Sequence, residues 1–128
     1  MKKIFYFLFL VIIVSGCGEF KGEMSQARIK SNEEVTQKLC KIFAETLDFY
    51  KESNQRFPLS LKQLGNEGYL SPNPYNRLVL LGMPVQGYRY VYTYLDDNRY
   101  TLEASPANKG VTGNNTFRID ETKELKII

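Results

Sequence analysis

SNEEVTQKLCKIFAETLDFYKES, residues 31–53, is the stretch whose reading decides the fold. Val35, Leu39, Ile42, Phe43, Leu47 and Tyr50 recur at steps of three and four, which predicts one apolar face of an α-helix. Gln37, Lys38, Lys41, Glu45 and Asp48 fall on the other side, turned to water. Ser31 followed by Glu34 has the spacing of a capping box, which predicts the helix start there. Asn54, with Pro58 close behind, predicts its end. A lone amphipathic helix cannot bury its stripe, so the downstream chain must cover it.

At 128 residues the chain has room for one domain with appendages. Setting aside Lys2 and Lys3 of the 17 basic residues leaves 15 against 14 acidic ones. That balance lacks the clustered basic excess of a nucleic-acid-binding surface. There is no His, which removes the commonest general base and metal ligand together. Nine Tyr and eight Phe, with no Trp, predict a small aromatic core.

The amino end has a different character. Lys2 and Lys3 form a short positive region, and Ile4 to Val14 is an unbroken apolar run of eleven residues. The run is too short to span a bilayer as a helix but suits a signal peptide. Val14-Ser15-Gly16-Cys17 follows and resembles the lipobox of bacterial lipoproteins. The resemblance implies cleavage before Cys17, a diacylglycerol on its thiol and usually a third acyl chain on the new amino group. Only a thiol gives the thioether, and small residues ahead of it admit the protease. Two or three chains anchor stably, because each buried methylene contributes about 0.8 kcal/mol and a single chain is marginal. Residues 1–16 are then a signal peptide, 17–30 a lipidated Cys with a polar tether, and 31–128 the globular domain. Gly18 stands where inner-membrane retention in enteric bacteria uses Asp, which leans towards the outer membrane. With Cys17 acylated, Cys40 is the one thiol left, so no internal disulfide is available.

Beyond the helix, Ser60 to Leu64 predicts one short helical turn with Leu61 and Leu64 inward. Ser71-Pro72-Asn73-Pro74 is rich in turn residues, and Leu78 to Leu81 reads equally as a short strand or an apolar loop. From Tyr88 the pattern is clear, with Tyr88, Tyr90, Tyr92 and Tyr94 alternating with Arg89, Val91, Thr93 and Leu95 as in a strand. Asp96-Asp97-Asn98 is the turn, Tyr100 to Ala104 the returning strand, Phe117 to Asp120 a third, and Leu125 to Ile128 a short fourth edge. A three-residue loop pairs Tyr94 with Tyr100 and turns the tyrosines towards the helix; a two-residue loop exposes them as a binding surface. The longer loop needs a residue in the left-handed region at its end, which Asn98 tolerates, and it is the favoured reading.

These pieces together resemble the globular part of type IV pilins and of the major pseudopilins of type II secretion. The residues that carry the likeness are YKESNQRFPLSLKQL (50–64), GYLSP (68–72), GYRYVY (87–92), YTLEASP (100–106), GVTG (110–113) and FRIDE (117–121). The resemblance implies an α+β pilin-like head, one long N-terminal amphipathic helix packed on a three- to four-stranded antiparallel sheet. It departs from pilins at the amino end, where cleavage falls after the apolar stretch and discards the filament-forming segment.

The chain has no GxSxG, no Gly-rich phosphate loop and no CxxC, so no nucleophile and base can be assembled and no cofactor is expected. Asp96, Asp97 and Asn98 are candidate calcium ligands, since some pseudopilins hold calcium in a loop near the end of the chain. Their spacing matches no calcium loop, and a hairpin turn uses the same residues. Lys62, Arg77, Arg89 and Arg99 are scattered along the sequence, as on a solvated surface. The expectation is a non-catalytic lipoprotein facing the periplasm or exterior, held to the cell or outer membrane by lipid and accessory to a pilus, a secretion machine or the envelope. The alternative is a solute-binding or inhibitory lipoprotein that shares only architecture with pilins.

Overall fold

The structure, a computed structural model, describes residues 24–128. Its elements are α1 (Lys2–Asn54), α2 (Leu61–Asn66), α3 (Pro74–Leu80), β1 (Tyr88–Asp96), β2 (Arg99–Pro106), β3 (Phe117–Asp120) and β4 (Lys126–Ile127). The described part of α1 begins at Met24, and the apolar run Ile4 to Val14 and Cys17 lie outside the described residues. Four antiparallel strands in the order β1-β2-β3-β4 form one sheet, and α1 packs across its inner face. This is the expected α+β fold.

The helix does not start at Ser31. Met24 to Lys30 are already helical, so the Ser31–Glu34 pair lies inside α1 and caps nothing. Residues 24–28 are all exposed, and Ile29 is the first buried position of the described helix. From there Asn32, Thr36, Cys40, Phe43, Ala44, Leu47 and Tyr50 make the buried stripe. The stripe is rotated from the one the apolar residues suggested: Val35 and Leu39 are half-buried, and Ile42 is 54% exposed. Thr36 can sit inside because its Oγ1 donates to the Asn32 carbonyl at 2.7 Å, closing its polar requirement within the helix. The helix ends at Asn54 as expected, with Gln55 in the left-handed region and its N–H donating to the Lys51 carbonyl at 2.7 Å.

Ser60 caps α2, accepting from the Gln63 N–H, and Leu61 and Leu64 are buried. The stretch Leu78 to Leu81 is neither strand nor loop in the main: Leu78 to Leu80 belong to α3. Asn73 is its N-cap and Pro74 its first residue, a pre-set φ where the missing N–H costs nothing. Gly65 lets α3 approach α2, because a Cβ there would lie 2.7 Å from Leu80 Cδ1. Val79 is buried against the core, and Leu78 and Leu80 pack at its edge.

The register of β1 and β2 pairs Tyr94 with Tyr100 and Tyr92 with Leu102, so the tyrosine row faces the helix. Tyr88 and Tyr90 are buried and Tyr92 and Tyr94 half-buried, so the row is not an open binding ladder. The turn reaches this register by a different device from the one expected. Asn98 does not adopt positive φ; instead Asp96 pairs with Arg99 and the extra residue is absorbed as a bulge between Tyr94 and Asp96. Asp96 Oδ1 accepts from the Asn98 N–H at 2.8 Å, holding the turn.

Candidate functional site

Where the exposed stem of α1 enters the head, polar side chains of the helix meet the loop between β2 and β3. Asn32 and Glu33 both grip this loop. Asn32 Nδ2 donates to the Thr112 carbonyl at 2.9 Å. One Glu33 oxygen accepts from the N–H groups of Asn114 and Asn115, at 2.9 and 3.2 Å, and the other from Asn115 Nδ2 at 3.4 Å. A carboxylate with backbone donors converging on it forms charge-assisted bonds, stronger than neutral ones. The loop between β2 and β3 is thereby clamped to α1 across about 80 residues of sequence.

Two glycines make this closeness feasible. Gly87 has φ +75°, and a Cβ there would meet Thr112 Cβ at 2.5 Å and Asn32 Nδ2 at 3.1 Å. Gly113 lies under the Tyr88 ring, and a methyl group there would collide with the ring edge and the hydroxyl. Tyr88 in turn donates its O–H to the Asn115 carbonyl at 2.7 Å. Burial, with the Glu33 charge beside it, pushes the Tyr88 phenol up to about 12. The other inward tyrosines tie down different loops: Tyr92 O–H donates to the Pro58 carbonyl at 2.6 Å and Tyr100 O–H to the Asp120 carbonyl at 3.1 Å. The Tyr90 hydroxyl is buried without a hydrogen-bond partner, and burial raises its pKa, as it does for Tyr92 and Tyr100.

At the far end of the sheet the turn acids are engaged within the protein. Asp96 Oδ2 accepts from Arg99 Nε at 2.8 Å, and that bond with the Asn98 N–H holds the Asp96 carboxyl below the usual range. Asp97 Oδ1 accepts from the Tyr94 hydroxyl and lies 3.9 Å from Arg56 Nε. A calcium ion would have to displace these partners, and among the described residues no three His, Cys, Asp or Glu side chains form a metal-holding group. Cys40 is fully buried, and burial pushes its thiol up to about 12, the environment of an unreactive core cysteine. Among the described residues no helix is long and apolar enough to cross a membrane.

The Glu33 clamp was not legible beforehand, because Glu33 stands next to the Glu34 that completes a capping-box spacing. Its partners, Asn114 and Asn115, carry only generic loop character. Cys17, the expected lipidation residue, lies outside the described residues, but the sequence around it has a match. Residues 1–17 match the family described as the prokaryotic membrane lipoprotein lipid attachment site. That match supports anchoring of the chain to a bacterial membrane through a lipid. Compared with curated proteins, the chain finds no match.

Proposed function

We propose that the protein presents a pilin-like head from a lipidated stem and acts by binding other envelope proteins, without catalysis. The observation that carries this reading is the layout of α1: residues 24–28 are exposed on all sides, and burial begins at Ile29. A lipid on Cys17 places its anchor twelve residues ahead of that point. The order of elements supports the pilin-like part: one long helix, two short helices, then an antiparallel meander closed by a glycine-containing loop. Without a retained apolar stalk the head has no segment with which to build an ordinary pilus core. Its role is therefore accessory to a type IV pilus or type II secretion assembly.

Exposed apolar side chains supply a surface for this. Ile42 and Phe49 stand on the face of α1 that the sheet leaves uncovered, one heptad apart, and Phe49 is 61% exposed. A photo-crosslinking amino acid placed at Phe49 in living cells is expected to capture a pilus, secretion or other envelope assembly protein. Crosslinks confined to lipid, with none to protein, would contradict the proposal.

A further inference from the structure

We propose that the anchored end of the head rests against the membrane and binds anionic phospholipid headgroups; this depends on the lipid anchor at Cys17. The fold brings residues remote in sequence to that end. Gly87, just ahead of β1, and Thr112, in the β2–β3 loop, both meet Asn32 of α1. Arg89 therefore lies near the anchored end on the outward face of β1, and Lys109 in the loop that closes over α1. Arg28 and Lys30 are exposed on the two flanks of the stem, on either side of buried Ile29. All four are exposed, and none forms an ion pair among the described residues. The opposite end is balanced, with Arg99 on Asp96, Arg56 near Asp97 and Lys123 on Asp48. At the anchored end Glu33 is occupied by loop N–H groups, which leaves exposed Glu34 as the one acid there among the described residues to set against the four basic side chains. Val111, 56% exposed in the same loop, adds an apolar tip.

Continuity with the anchor selects the occupant. Twelve residues from Cys17 to Ile29 span about 18 Å as a helix. Headgroup attraction acts within roughly 8 Å at physiological salt, so an upright stem would hold the head out of reach. Acyl chains fixed to one residue leave the stem free to tilt. Tilting brings the basic end of the head against the surface to which the chain is already tethered.

The test uses the acylated protein purified from membranes and reconstituted into vesicles of neutral phospholipid, or of neutral phospholipid mixed with an anionic one. A fluorophore is attached at Val111→Cys or, as the distal control, at Asn98→Cys; buried Cys40 does not compete for the label. The expected result is several-fold greater protection of the 111 label from a water-soluble quencher in anionic vesicles. Protection should be absent at 98, reversed by high salt, and lost when Arg28, Lys30, Arg89 and Lys109 are all changed to Gln. Equal quenching at 111 in both vesicle types, with the protein still floating with the vesicles, would overturn the proposal and leave the anchor standing. Failure to float with either would overturn anchor and proposal together.

Discussion

At the scale of single residues, the clamp at the base of the head makes two distinct predictions. Glu33 is the shared acceptor for two loop N–H groups, so Glu33→Ala leaves donors without their carboxylate. The expected cost is about 1–3 kcal/mol in denaturant unfolding. Amide hydrogen exchange should speed up at Asn114 and Asn115 ahead of the sheet. Gly113 tests packing instead of polarity. Its φ is not in the left-handed region, so Gly113→Ala isolates the collision with the Tyr88 ring. Overpacking of this kind costs typically about 1–3 kcal/mol, again read by denaturant unfolding, and Tyr88→Phe should not relieve the ring-edge part of it.

At the scale of elements, α1 shows what patterning can and cannot convey. Its existence, its end at Asn54 and its packing on an antiparallel sheet follow from the 3.6-residue period and the Tyr alternation that begins at Tyr88. The rotation of its buried face does not. Thr36 and Cys40 are inside because each satisfies or lacks a strong polar demand, while Ile42 and Phe49 are outside although larger and more apolar. Hydrophobicity alone finds Phe43, Leu47 and Tyr50 but wrongly adds Ile42 and misses Thr36 and Cys40. Leu47→Ala should therefore cost about 2–5 kcal/mol and Ile42→Ala about 0.5 kcal/mol or less, measured by thermal or denaturant unfolding. Similar costs for the two would contradict the observed rotation. For α3, Asn73-Pro74 did carry the signal, an N-cap followed by a first-turn proline, inside a stretch whose two prolines also spell a turn. The β1–β2 register was legible from the tyrosines, whereas the bulge that delivers it depends on Asp96 bonding to Asn98 and Arg99, which spacing does not reveal.

At the scale of the whole molecule, the core is a row of tyrosines whose hydroxyls, Tyr90 apart, tie the loops to the sheet. Burial keeps these phenols and the Cys40 thiol protonated beyond the ordinary values of 10 and 9. The folded state holds those protons more tightly than the unfolded chain. Their contribution to stability is complete below about pH 9 and drains away as pH rises towards 12. The unfolding temperature should thus fall steeply above about pH 9 to 10, with the absorbance of ionised Tyr88, Tyr90, Tyr92 and Tyr100 appearing as the fold is lost. At acid pH the lowered carboxyls of Asp96 and Asp120 act in the opposite sense, stabilising above their ordinary 3.8. Both are half-exposed and screened by water, and the acid-side change should be small by comparison.

Everything proposed about the whole molecule hangs on the lipid at Cys17. The decisive measurement is mass spectrometry of the amino terminus of the protein extracted from cell membranes, with a Cys17→Ser variant fractionated in parallel. The account predicts a chain that begins at an acylated Cys17, and a variant that has lost stable membrane attachment. A chain that retains residues 1–16 and carries an unmodified Cys17 would contradict it.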